Sequence, residues 1–177
     1  VDGELIDASV VGASGGINDP FNRIETAFTA RDTDDASFGL IKMRGRFSQG
    51  AGDTSMDIPI GTLKTVVDFS ESIQGTSVTP RIFIHGRENL VLRDLGSNDT
   101  NSGDITIFLE QDPEPISFEL FNCVNINIDL DYLDDASLVN VSVTNSVGVN
   151  IDGEQRGTTV IKNSADISCT QAEGRLY

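Results

Sequence analysis

Residues 122–129 read "NCVNINID", and the same pattern returns as "NSVGVNID" at 145–152 and more loosely as "NSADISCT" at 163–170. The offsets between the copies are 23 and 18 residues. In each copy apolar residues alternate with polar ones, and the copies begin with Asn122, Asn145 and Asn163. Alternation with period two predicts β-strands that bury one face.

Two arrangements of these strands fit the pattern, and the first is a long antiparallel meander. A fold about residues 133–134 places Asn122 opposite Asn145, and a second fold places Asn145 opposite Asn163, so that the three form one row of bonded amides. The segments "DYLDDA" and "DGEQRG" then form hairpin loops. We favour this arrangement because an 18-residue offset suits a hairpin. The predicted fold class is an all-β antiparallel sandwich or jelly-roll-like barrel with long C-terminal meander strands.

The alternative is a right-handed parallel β-helix. Its coils would be twenty-odd residues long, and the three Asn residues would stack at one corner of successive coils. The segment "RIFIHGRENLVLRDL" also reads as a coil of this kind.

The remainder of the chain predicts further strands and one short helix. Segments such as "SFGLIKMRGRF", "TLKTVVDFSES" and "DITIFLEQ" are rich in β-branched, aromatic or alternating residues and are separated by Gly, Asn, Asp and Ser clusters. "DPFNRIETAFTA" favours a helix with Ile24 and Phe28 on one face. We predict an N-terminal arm or edge strand over residues 1–20 and a single all-β domain over residues 21–177.

Charge limits the possible partners. The 177 residues carry 12 Lys and Arg against 28 Asp and Glu, a net charge of −16. Nucleic-acid binding needs clustered cations, so we expect no nucleic-acid partner. Aspartate dominates the acids and only three residues are Lys, a balance typical of proteins that work in molar salt, where screening shortens electrostatic repulsion to about 3 Å. The alternative interpretation is an ordinary acidic surface or extracellular protein. No apolar run reaches the ~20 residues that a membrane-spanning helix needs.

The stretch "NINIDLDYLDD", residues 125–135, holds the candidate metal ligands. Asp129, Asp131, Asp134 and Asp135 approach the oxygen-rich set that Ca²⁺ prefers. They lack the spacing of a calcium loop, and they fall on a solvent-facing parity and then in a turn. We therefore expect hydrated acids here, with Ca²⁺ or another cation as the alternative and no other cofactor.

No motif indicates catalysis. "GASGG" at 12–16 matches the G-x-S-x-G pattern around Ser14, but the alternating strands and helices of that hydrolase fold are missing. His85 is the only histidine and reads as structural. Cys123 and Cys169 are expected to be free, buried or partly buried thiols. The chain is predicted to be non-enzymatic, with no catalytic residue assigned.

In size, acidity and strand density, from "SFGLIKMRGRF" to "VIKNSADISCT", the chain resembles the single jelly-roll capsid proteins of halophilic, membrane-containing icosahedral viruses. The resemblance implies a virion shell subunit that packs with copies of itself and with other virion proteins, lying over a membrane without spanning it. Three successive hairpin strands depart from a strict jelly roll.

A second resemblance, carried by "FNCVNINID" and "TNSVGVNID", is to β-helical viral tailspikes. It implies a virion spike or a receptor- or glycan-binding module. A polysaccharide-active enzyme is a third and weaker possibility. The predicted location is the virion or an extracellular surface.

Overall fold

In the computed structural model the described residues are 24–32, 39–47, 55–74, 81–96, 105–110, 115–130, 138–153, 156–170 and 175–176. The predicted arm over residues 1–20 lies outside them. The elements are helix α1 (Ile24–Asp32) and strands β1 (Gly39–Phe47), β2 (Ser55–Ile58), β3 (Thr65–Gln74), β4 (Arg81–His85), β5 (Leu90–Arg93), β6 (Ile105–Glu110), β7 (Ile116–Phe121), β8 (Val124–Asp129), β9 (Leu138–Thr144), β10 (Val147–Asp152), β11 (Arg156–Lys162), β12 (Ala165–Cys169) and β13 (Arg175–Leu176). The prediction of all-β character is confirmed, and the described residues include one short helix before β1.

The strands form two sheets, and the chain alternates between them. The seven-stranded sheet has the order β1-β3-β5-β7-β9-β11-β13, and the six-stranded sheet has the order β12-β10-β8-β6-β4-β2. Every strand pairing among the described residues is parallel. Each coil therefore adds one strand to each sheet, which is the topology of a parallel β-helix.

The predicted antiparallel sandwich or jelly roll is therefore wrong, and the parallel β-helix alternative agrees with the observed sheets. Val147 pairs with Val124 and with Ala165, so the sequence repeat with offsets of 23 and 18 residues is itself the strand register. Each long strand of the meander is in fact two strands joined by a two-residue corner. Because a corner of two residues keeps the inward and outward positions of the two strands in phase, the bent segment has the same sequence pattern as one straight strand.

The corners explain the recurrent asparagines. Asn122, Asn145 and Asn163 have φ values of 56°, 52° and 50°, in the left-handed region that Asn tolerates better than most residues. They are exposed, not inside an apolar face as the meander required. Successive corners are bonded through the backbone, because the Asn122 amide donates to Thr144 O and the Asn145 amide donates to Lys162 O, both at 3.0 Å.

The second corner position points inward and is small. Ser146 is buried, and its hydroxyl accepts a hydrogen bond from the Cys123 amide at 3.0 Å while it donates to Thr144 O at 3.0 Å. The hydroxyl of Ser164 accepts from the Ser146 amide at 3.1 Å in the next coil. These bonds satisfy backbone groups that leave the sheets at the corner.

The fourth position of the repeat is also left-handed. Asn125, Gly148 and Asp166 have φ values of 54°, 67° and 53° and occupy equivalent positions in β8, β10 and β12. Glycine suits position 148 because φ is positive there and an added Cβ would lie 2.6 Å from Oδ1 of Asn125, so the Asn125 side chain would have to shift. The Asn, Gly and Asp at this position share a tolerance of positive φ.

The core lies between the two sheets. Inward side chains of successive coils stack in rows, such as Ile107, Ile128 and Ile151 of the six-stranded sheet. Leu92, Leu120 and Val143 form a matching row of the seven-stranded sheet. A stack of identical coils has two open ends, and apolar side chains at an end need a cover.

Helix α1 covers the N-terminal end. Ile24, Ala27 and Phe28 are buried in the same cluster as the first strands. Arg87, whose side chain is fully buried, forms two hydrogen bonds with Asp32, at 3.0 and 2.8 Å, and lies 4.3 Å over the ring of Phe28. The helix is thereby attached to the coil that follows β4.

Candidate functional site

The outer face of the six-stranded sheet carries an unusual set of side chains. In β4 the alternation turns Ile82 and Ile84 inward, so Arg81, Phe83 and His85 face outward. We call this surface the outer platform. Its members are Asp57 of β2, Arg81, Phe83 and His85 of β4, Thr106, Phe108 and Glu110 of β6, Asn127 and Asp129 of β8, and Asn150 and Asp152 of β10.

Two aromatic rings lie at the centre of this surface. Phe83 pairs with Phe108 in the parallel register, and their ring centroids are 5.0 Å apart with an interplanar angle of 18°. Both side chains are half-buried although they lie outside the core. Because the rings stack on each other, each partly covers one face of the other, and the pair presents ring edges and two outer faces as an apolar cluster.

A ladder of amides lies beside the rings. Thr106 pairs with Asn127, and Asn127 pairs with Asn150, one strand further along. Nδ2 of Asn150 donates to Oδ1 of Asn127 at 2.8 Å. An amide side chain offers two donors and one acceptor oxygen, so this ladder keeps further hydrogen-bonding capacity towards the outside.

Carboxylates flank the aromatic pair along the same row. Asp57 pairs with Phe83 on one side, and Asp129 pairs with Phe108 on the other. Asp152 follows Asp129 in the next coil.

His85 lies between two carboxylates of this surface. Its Nδ1 is 3.1 Å from Oε2 of Glu110, and its Nε2 is 3.7 Å from Oδ1 of Asp57. A protonated imidazole can donate towards both, so these groups form a small charge cluster beside the rings. The sequence interpretation of His85 as structural missed this cluster, because Asp57 and Glu110 are each about one coil away in sequence.

The predicted metal ligands are only partly described. Asp129 lies at the end of β8 on the outer platform, while Asp131, Asp134 and Asp135 lie outside the described residues. Among the residues that the structure describes, no group of three or more His, Cys, Asp or Glu side chains is placed to hold a metal ion.

The two cysteines do not belong to the outer platform. Ser14 lies outside the described residues. Cys123 and Cys169 are free; Cys123 is buried at a corner, where its thiol faces Leu92 O at 3.4 Å, and Cys169 is half-buried. Burial raises the pKa of the Cys123 thiol to about 12, so it stays protonated and unreactive at neutral pH.

The outer face of the seven-stranded sheet differs in kind. On β3 of this sheet, the side chain of Asp68 is 5% exposed and accepts hydrogen bonds from Arg93 at 2.5 Å and from the Ser70 amide at 2.9 Å. Lys42 pairs with Glu71 on the same face. These four charges are engaged in ion pairs within the face.

No helix in the described part of the chain is long and apolar enough to cross a membrane. Comparison of the chain with protein-family models, with curated proteins and with solved structures gives no match.

Proposed function

We propose that this protein is a glycan-binding module of β-helical fold, displayed on a virion spike or another extracellular surface, with the outer platform as its binding site. The observation that carries the proposal is the stacked Phe83–Phe108 pair beside the Asn127–Asn150 ladder on one face of the sheet. Sugars combine an apolar ring face with a rim of hydroxyl groups. The rings offer a surface for the first, and the amides and carboxylates offer donors and acceptors for the second.

The geometry favours an extended polymer over a small compact ligand. Successive strands of a sheet repeat at about 4.8 Å, so each coil presents one further rung of side chains along the platform. Phe83, Phe108, Asp129 and Asp152 lie on consecutive strands of one such row. A chain of sugar units running across the strands meets the aromatic pair first and then carboxylate and amide groups on the following rungs.

The spike hypothesis gains support from the fold, whereas the capsid hypothesis loses its structural premise. The capsid prediction depended on an antiparallel jelly roll, and the sheets are parallel. The spike and glycan-binding alternative was tied to a β-helix. We propose binding without cleavage, since Asp57 and Glu110 of the outer platform both face His85, at 3.7 and 3.1 Å.

The test is a binding measurement with matched aromatic variants. The full chain is screened against immobilised glycans, and the affinity for the strongest one is measured by calorimetry. Phe108→Ala is expected to weaken binding by about tenfold or more, because it removes half of the stacked patch. Phe121→Ala is the control, since Phe121 is a half-buried outward side chain on the opposite sheet.

Circular dichroism of both variants checks that the fold is retained. Equal affinities of Phe108→Ala and Phe121→Ala would contradict the platform as the binding site. A screen without any binding glycan would contradict the proposed function itself. Release of shorter sugars during the incubation would contradict the absence of cleavage.

A further inference from the structure

The charges of the outer platform restrict the kind of glycan that it can hold. The outer platform carries four carboxylates, those of Asp57, Glu110, Asp129 and Asp152. Its basic side chains are Arg81 and His85. The platform is thus acidic as a unit. It also belongs to a chain of net charge −16, whose long-range field has the same sign.

Carboxylates lie on both sides of the aromatic pair. Asp57 is on the strand next to Phe83 and Asp129 on the strand next to Phe108, in the same row. With strands about 4.8 Å apart, each carboxylate-bearing strand is about 7 Å from the middle of the pair. A sugar ring that packs against the outer side of the Phe83–Phe108 pair therefore has an acid at either end.

The bases are not positioned to compensate an acidic sugar. Both ring nitrogens of His85 face Glu110 and Asp57, at 3.1 and 3.7 Å. Arg81 lies in the neighbouring row, beside Thr106, and its side chain is exposed. One exposed guanidinium is far from the clustered bidentate contacts that recognise carboxylate or sulfate groups.

We infer that the ligand of the outer platform is a non-acidic glycan, built from neutral or amine-bearing sugars, with one ring seated on Phe83 and Phe108. This inference rests on the proposed function and names its substrate class. An amino group gains from the flanking carboxylates and from the faces of the aromatic rings. A uronic acid or a sulfated sugar meets like charge at both ends of the row.

The experiment compares three oligosaccharides of equal length: an N-acetylated chitin oligomer, its deacetylated chitosan counterpart and a polyuronate oligomer. Affinities are measured by calorimetry with the full chain, at the lowest NaCl concentration that leaves the circular dichroism spectrum unchanged and again in 1 M NaCl. We expect chitosan to bind at least as tightly as chitin, and the polyuronate to bind at least about tenfold more weakly than either. The advantage of chitosan over chitin should shrink in 1 M NaCl, since salt screens charge.

A charge variant separates the local field from the overall charge. Asp129→Asn should improve the affinity for the polyuronate and weaken that for chitosan by about threefold each at low salt, the effect of one charge at about 7 Å in water. Glu119→Gln removes the same charge from the outer face of the opposite sheet and should change neither affinity by that amount.

The outcomes are distinguishable from failure of the proposed function. A polyuronate that binds as tightly as the chitin oligomer at low salt overturns the inference but leaves glycan binding intact. Equal effects of Asp129→Asn and Glu119→Gln overturn the role of the platform charges. No binding of any of the three oligomers, together with an empty glycan screen, overturns the proposed function as well.

Discussion

The attachment of α1 to the first coils should depend on one buried ion pair, and its two halves should respond unequally to mutation. The side chain of Arg87 is 0% exposed, whereas that of Asp32 is 28% exposed. Arg87 also donates to Pro59 O and to the Thr65 hydroxyl, both at 3.1 Å. Asp32 supplies its only carboxylate partner among the described residues.

Asp32→Ala leaves a buried guanidinium without its counter-charge. Breaking a buried pair from one side costs about 3–5 kcal/mol. The remaining bonds to Pro59 and Thr65 and the partial exposure of Asp32 place the expected loss at the low end, about 3 kcal/mol in the free energy of unfolding. Arg87→Met removes the buried charge and leaves a carboxylate that water can reach, so we expect a loss of about 1–2 kcal/mol.

The double variant is the decisive measurement. Once Arg87 is Met, replacement of Asp32 by Ala should cost little, so the double variant should resemble Arg87→Met and not the sum of the single changes. Urea unfolding at neutral pH, followed by circular dichroism, gives all four free energies. Glu71→Ala is the matched control, because its partner Lys42 and Glu71 itself are 37% and 46% exposed, and we expect a loss below about 1 kcal/mol.

Two results would refute this reasoning. Losses for Asp32→Ala and Arg87→Met that simply add would show that the two side chains do not act as a pair. A loss for Asp32→Ala no larger than that for Glu71→Ala would show that burial of Arg87 does not set the cost.

Two further predictions concern the coils. Burial raises the pKa of Asp68, but its hydrogen bonds to Arg93 and to the Ser70 amide outweigh burial and hold the pKa below the ordinary value of 3.8. The stability that Asp68 contributes is therefore complete above about pH 4 and is lost as the pH falls through the lowered pKa. We expect Asp68→Asn to reduce the fall in the free energy of unfolding at acid pH, measured by urea unfolding between pH 2 and 6. An unchanged pH dependence below pH 4 would contradict this. At the corner, Asn145 has a φ of 52°, a left-handed conformation that Ala adopts poorly. By urea unfolding, we expect Asn145→Ala to lower the free energy of unfolding by about 1 kcal/mol and Asn145→Gly to stay within about 0.5 kcal/mol of the parent. Equal losses for the two variants would contradict a requirement for left-handed backbone at this position.

Local residue chemistry made a large part of the fold predictable. The apolar alternation of residues such as Ile126, Ile128, Val149 and Ile151 predicts inward side chains, and all four are buried. The spacing of Ile24 and Phe28 predicts a helical face, and both are buried in α1. These predictions need only the spacing of apolar residues along the sequence, because the period of a strand or a helix determines which face each residue occupies.

Strand direction was not predictable in the same way. One-sided alternation is typical of antiparallel sheets, because most parallel sheets are covered on both faces. A β-helix breaks this rule, since its parallel strands bury one face against the opposite sheet and leave the other outside. Odd-numbered positions face outward in β7 and β8, yet the corner after Phe121 turns Cys123 into the core.

The sequence by itself determined the all-β character, the inward residues of each strand and the spacing at which the pattern repeats, because these follow from alternation and from the residue types that tolerate a left-handed corner. Only the tertiary structure decided that the repeats stack in parallel. That decision brings together Phe83 with Phe108, and His85 with Asp57 and Glu110, across separations of a whole coil. The outer platform could not be predicted from sequence because its groups meet only when successive coils lie in register, and the register is set by packing of the shared core.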